Sequence, residues 1–238
     1  MADNRLIIAL DYSEISQVKK LIVQLDDSIS YYKVGMELFY STGGQIISFL
    51  RERNKNVFLD LKLYDIPNTV AKSAAALTRL GVSMLNVHAS GGAIMMKVAA
   101  EAVGEEAYKR GLARPKLIAV TVLTSFSEQE WASLNSKFSI DDQVIYLAKI
   151  AKQSGIDGVV ASPREAAAIS AGLGKEFLIV TPGIRPEGSS VNDQNRISTP
   201  KQALMSGATH LVVGRPVTAS EDPRAAVESI LTEMRAIS

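Results

Sequence analysis

Eight short apolar runs punctuate the chain: LIIAL (6–10), YYKVG (31–35), VFLDL (57–61), MLNV (84–87), LIAVTVL (117–123), GVVA (158–161), FLIV (177–180) and HLVVG (210–214). They are nearly continuous rather than alternating, and rich in Val, Ile and Leu, which suits parallel strands covered on both faces. Between them lie segments of helical periodicity. Ser13 opens SEISQVKKLIVQL, where Ile15, Val18, Leu21, Ile22 and Leu25 share one face, and Ser162-Pro163 opens SPREAAAIS as N-cap and first-turn proline. STGGQIISFLRER, PNTVAKSAAALTRLG, GGAIMMKVAAEAVGEEAYKRG, DDQVIYLAKIAKQSG, TPKQALMSG and DPRAAVESILTEMRAI read the same way. A strand followed by a helix, eight times in 238 residues, predicts an α/β fold: a (β/α)8 TIM barrel occupying 1–238 as one domain. A doubly wound open sheet is the competing arrangement. No GxGxxG follows the first run, however, and no shift of charge or composition divides the chain into halves.

Charge narrows the partners. The 26 basic and 25 acidic residues leave a formal net charge of +1, with no block of one sign. Nothing here marks a nucleic-acid or anionic-membrane surface, so a small-molecule partner is expected. The chain has no cysteine, which excludes disulfides, thiolate metal sites and cysteine nucleophiles and suits a reducing compartment. MADNRLIIALD is too short and wrongly flanked for a secretory signal, and no apolar run reaches the length of a membrane span. A cytoplasmic place is the expectation.

In a barrel of this kind chemistry sits where the strands end. The predicted strands end in Asp11, Lys33, Asp60 with Lys62, His88, Thr121 to Ser125, Ser162, Thr181 with Arg185, and Gly214-Arg215. Any one polar residue at a solvent-facing rim is unremarkable; the combination carries the weight. Strand alternation turns Asp60 and Lys62 toward the barrel mouth, with Leu59, Leu61 and Leu63 against the helices, while Asp65, Asn68 and Thr69 fall in the turn before or at the start of the next helix. Carboxylates beside Lys62 favour its ammonium form and make it a poised proton donor. An ion-pair network that merely closes the barrel is the alternative, although paired buried charges seldom stabilise better than apolar packing. After the last two strands, TPGIRPEG and VVGRP offer Gly214, Arg215 and Arg185 for a phosphate. The hydroxyls of Thr124 and Ser125 suit a polar ring. His88 reads as a rim hydrogen-bonder or a base, and His210 as structural.

The stretch DLKLYDIPNTV (60–70) resembles the Asp-x-Lys-x-x-Asp signature of the orotidine 5'-phosphate decarboxylase family, here Asp60, Lys62 and Asp65. The likeness runs end to end, through ALD (9–11), KVGMELF (33–39), LTS (123–125), TPGIRP (181–186), DQNR (193–196) and VVGRP (212–216). The resemblance implies decarboxylation at C6 of a pyrimidine nucleotide, with Lys62 as proton donor held by Asp60 and Asp65. It implies that Asp11 and Lys33 bind ribose hydroxyls, Thr124 and Ser125 the pyrimidine edge, and Gln194, Arg215, Gly214 and Arg185 the phosphate. It also implies a homodimer in which Asp65 and Thr69 enter the partner's site, and no metal or organic cofactor. Magnesium-dependent sugar-phosphate lyases and isomerases on the same barrel share the signature spacing. They carry a glutamate ligand where this chain has Lys33, and a cation there repels a metal. A non-catalytic phosphate-binding barrel is the remaining alternative.

Overall fold

The computed structural model describes residues 3–134, 137–186 and 198–236. Its strands are β1 (Leu6–Ala9), β2 (Tyr31–Gly35), β3 (Asn56–Leu63), β4 (Met84–His88), β5 (Lys116–Val120), β6 (Gly158–Val160), β7 (Leu178–Thr181) and β8 (His210–Val213). Each pairs in parallel with the next, and β8 returns to β1 through Leu6↔Leu211, Ile7↔Val212 and Ile8↔Val213, so the sheet closes on itself. That seam excludes the open-sheet alternative.

Burial on both faces explains the unbroken apolar runs. Ile8, Tyr32, Val34, Leu59 and Leu85 turn outward into one large cluster with the helices. Ile7, Ala9, Tyr31, Phe58, Met84, Ile118, Val180 and Val212 turn inward and fill the barrel. The inward residues pack the lower part of the barrel, leaving polar groups to gather where the strands end.

The helices are α1 (Ile15–Leu25), α2 (Met36–Thr42), α3 (Gln45–Arg51), α4 (Pro67–Thr78), α5 (Gly92–Arg110), α6 (Glu128–Ser133), α7 (Ile140–Gln153), α8 (Pro163–Leu173), α9 (Pro200–Met205), α10 (Arg215–Thr218) and α11 (Pro223–Arg235). Ser162 caps α8 in a reciprocal box with Glu165, as its sequence suggests, and Ser127 with Glu130 does the same for α6. Three expectations need correction. Ser13 does not cap α1: Glu14 takes that position without a side-chain bond, and the Ser13 carbonyl accepts instead from Ser41 Oγ at 3.1 Å. STGGQIISFLRER is not one helix, because Gly43, at φ 58°, ends α2 and α3 starts afresh at Gln45. β5 stops at Val120, three residues short of its apolar run, where Thr121 turns its hydroxyl onto the Val160 carbonyl at 2.8 Å.

Candidate active site

A cavity of about 260 Å³ opens at the strand ends. Ala9, Phe58, Val120, Val160, Val180 and Val212 supply apolar lining, and Asp11, Lys33, Asp60 and Lys62 supply charge. These four come from β2, β3 and the turn after β1, and they form an alternating row. Lys33 Nζ lies 3.0 Å from Asp11 Oδ1 and 3.3 Å from Asp60 Oδ2, and Lys62 Nζ lies 2.8 Å from Asp60 Oδ1. Asp60 and Lys33 are deeply placed, with side chains 12% exposed, whereas Asp11 at 60% faces the mouth.

Burial opposes the charge on Asp60, but the ammonium groups of Lys33 and Lys62, with hydrogen bonds from Lys62 and Asn86, outweigh it and hold the carboxyl below its usual range. Burial likewise opposes the Lys33 ammonium, and Asp60 and Asp11 overcome it, raising Lys33 above the ordinary lysine value. The pair is thus charged by mutual support.

Plain strand alternation does not carry β3 to its end. Leu61 packs outward as expected, but the pairing with β4 shifts between Leu59 and Leu63, and Lys62 adopts φ 52°. A lysine in the left-handed region is uncommon, and such backbones concentrate at functional sites. Sequence reasoning missed the residue that meets this irregularity. Asn86 on β4 is buried, accepts from the Lys62 backbone N–H at 2.8 Å and donates to Asp60 Oδ1 at 2.7 Å. A lone Asn in MLNV carries no motif; an amide pointing inward one strand beyond the signature was the available signal.

Asp65 does not join the row. It is exposed, its Oδ1 accepts from the Ile66 N–H at 2.6 Å, and among the described residues it makes no ion pair with Lys62. Thr69, on the first turn of α4, is exposed too. Within one chain Lys62 is therefore held by one aspartate rather than two.

Gly183, Arg185, Gly214 and Arg215 complete the lining with Leu123 and Thr124, and Gly214 stands beside Asp11, where an added methyl would lie 3.6 Å from Asp11 Oδ2. Arg185 is buried; its backbone N–H reaches the Ser198 carbonyl at 3.0 Å, and its Nη1 donates to the Ile184 carbonyl at 2.9 Å. Gly214 precedes the short α10, whose first residue is the exposed Arg215. Ser125 is exposed beside Thr124 but is not part of the lining, and Gln194 lies outside the described residues. The His88 ring makes no hydrogen bond among the described residues and packs instead on Tyr64, with ring centres 5.6 Å apart. Burial and the Lys62 ammonium push its imidazole below the usual range, against the pull of Asp60. His210, at the opposite end of the barrel, bonds Thr209 Oγ1 through Nδ1 at 3.0 Å and meets the Tyr31 ring edge-on.

An acid–lysine row and a glycine–arginine group lining one cavity at the mouth of a (β/α)8 barrel define a class: barrels built to hold a small anionic substrate beside a fixed ammonium. Within that class the chain belongs to the orotidine 5'-phosphate decarboxylase / HUMPS family, whose model matches residues 4–230. It is 46% identical over 237 residues to an orotidine 5'-phosphate decarboxylase of Moorella thermoacetica, covering 99% of this chain and 94% of that protein. It is 48% identical over 235 residues to one of Lactococcus lactis subsp. cremoris, covering 98% and 99%. The crystal structure of orotidine 5'-phosphate decarboxylase from Lactobacillus acidophilus, 42% identical, matches with a TM-score of 0.86 over 98% of this chain and 99% of that one.

Proposed function

We propose that this chain converts orotidine 5'-phosphate to uridine 5'-phosphate and carbon dioxide, the final step of pyrimidine nucleotide synthesis, without metal or organic cofactor. The observation that carries the reading is the Asp11–Lys33–Asp60–Lys62 row in a cavity that Arg185, Gly214 and Arg215 also line. Breaking the bond between C6 and its carboxylate releases carbon dioxide and leaves an electron pair in the ring plane. No enolate delocalises that pair, so the stabiliser must be a charge already fixed beside the carbon. The Lys62 ammonium is such a charge. Asp60 orients it, and the C6 electron pair takes a proton from Nζ.

In this reading Asp11 and Lys33 hold the ribose hydroxyls, and Thr124 with Ser125 the pyrimidine edge. Arg185, Gly214, Arg215 and Gln194 hold the phosphate. The arginines present a planar fork suited to a phosphate dianion. Apolar walls around the reacting carbon keep water from competing with the lysine. The site is completed in a homodimer, Asp65 and Thr69 reaching the partner's cavity; both are exposed here, beside Tyr64 and Ile66 at 61% and 66% exposure. The enzyme acts in the cytoplasm as one barrel domain.

The magnesium-dependent alternative has to accommodate Lys33, whose ammonium stands between Asp11 and Asp60 where a cation would be held. Both readings are tested by one assay: purified protein is mixed with orotidine 5'-phosphate and the ultraviolet change to uridine 5'-phosphate is followed, with and without exhaustive EDTA treatment. Turnover is expected in both conditions. An inactive protein would sink the proposal, and activity lost to EDTA and restored by magnesium alone would favour the alternative.

A further inference from the structure

We propose that Asn86 is a positioning residue for this reaction, its side-chain amide fixing the Lys62 backbone with one end and the Asp60 carboxylate with the other. The inference rests on the decarboxylase reading above and adds to it a residue that bears no charge and lies outside the cavity lining.

From Leu59 to Leu63 the chain takes four residue steps on β3 against two from Leu85 to Val87 on β4. Asp60, Leu61 and Lys62 therefore arch across Asn86, and the Lys62 N–H loses its place in the ladder. A buried backbone N–H left without a partner is costly, and Asn86 Oδ1 supplies the partner at 2.8 Å. The other end of the amide does different work. Nδ2 donates at 2.7 Å to Asp60 Oδ1, the same oxygen that receives the Lys62 ammonium at 2.8 Å. One planar group thus ties together the backbone from which the lysine starts and the carboxylate on which it ends. Between those anchors Lys62 stays in its left-handed conformation, φ 52°.

The chemistry selects asparagine at this size. Only a side-chain amide offers a donor and an acceptor on one short rigid plane. An aliphatic residue would leave the Lys62 N–H unpartnered and Asp60 held by the two ammonium groups alone. An aspartate would keep the acceptor but set two carboxylates against each other. Asn86 is 1% exposed on the inward face of β4, so its place is set by the barrel wall rather than by substrate.

The test uses Asn86→Ala and Asn86→Asp. It measures kcat and KM with orotidine 5'-phosphate, equilibrium affinity for uridine 5'-phosphate, and hydrogen exchange at the Lys62 amide. Both variants are expected to lose kcat by about 10- to 100-fold while nucleotide affinity stays within about threefold, since a displaced ammonium harms the transition state more than the ground state. The Lys62 amide is expected to exchange slowly in the wild type, at least about tenfold faster in Asn86→Ala, and to stay protected in Asn86→Asp, which keeps the acceptor. A folded Asn86→Ala with kcat within about threefold of wild type overturns the proposal, as does a loss expressed in affinity alone. If Asn86→Ala does not fold, Asn86→Asp decides by the same kcat criterion. Should the wild type fail to turn over, the decarboxylase reading falls by itself. The clamp is then judged on the Lys62 amide, and unchanged protection in Asn86→Ala removes it as well.

Discussion

Lys62 places a charged side chain on a backbone that lysine rarely adopts, and both properties can be separated by substitution. Lys62→Ala and Lys62→Gly each remove the ammonium, and each is expected to lower turnover by about a thousandfold or more. They differ in that alanine keeps the left-handed penalty and glycine does not, so Lys62→Gly is expected to be the more stable by about 1 kcal/mol in chemical denaturation. An alanine variant as stable as the glycine variant would mean the backbone there bears no strain. The charged row also sets how stability follows pH. Asp60 is held below the ordinary carboxyl range, so its contribution is complete above about pH 3.9 and is lost as pH falls through the depressed folded value. Lys33 is held above the ordinary lysine range, so its contribution is complete below about pH 10.4 and is lost as pH rises through the raised folded value. Denaturation midpoints measured across pH should therefore fall at both extremes, and Lys33→Met should abolish the alkaline limb that belongs to this pair. The signature Asp60-x-Lys62 was legible in the sequence because three charges interrupt an apolar run. The left-handed lysine was not, since a backbone angle leaves no mark in one segment, and of its amide partner the only sign was an inward-facing Asn on the next strand.

Among the elements, strands were easier to read than helix boundaries. Parallel strands buried on both faces announce themselves as apolar runs, and eight of them are found where those runs lie, within a few residues at each end. The break between α2 and α3 was hidden because the Gly43-Gly44 pair sits inside a segment whose apolar spacing continues on either side. Packing between strands hid another requirement. Gly158 on β6 approaches β7 so closely that a methyl group there would lie 2.4 Å from Leu178 Cβ and from its carbonyl oxygen. Gly158→Ala is expected to destabilise the fold by about 1–3 kcal/mol, measured by denaturant titration, because backbone rather than a flexible side chain must yield. Gly35, at the end of β2, is the contrasting case. An added methyl would stand 3.2 Å from Lys33 Nζ, the far end of a flexible chain. Gly35→Ala is expected to leave stability within about 0.5 kcal/mol while weakening nucleotide binding, and a large stability loss with intact binding would contradict that assignment.

For the whole molecule, the fold class was readable from element count, whereas the composition of a complete site was not readable from one chain's geometry. Asp65 belongs to the signature, yet the structure leaves it exposed and unattached to Lys62. Turn chemistry accounts for this: the segment leaves the barrel at Leu63, and Pro67 starts α4 outside the mouth. If Asp65 serves a partner's cavity, Lys62→Ala and Asp65→Ala proteins, each nearly inactive, should regain activity when mixed, because each mixed dimer holds one site with both residues intact. Mixed dimers that form and stay inactive would exclude the shared site. The seam between β1 and β8 has a consequence for biosynthesis. Leu6 and its partner Leu211 are made roughly two hundred residues apart, which is about 10 to 40 seconds of translation. Through that interval β1 has left the ribosome without the neighbour that closes its outer edge, and an unpaired parallel edge is a template for wrong pairings. The last strand to be synthesised, HLVV, is thus the one that closes that edge.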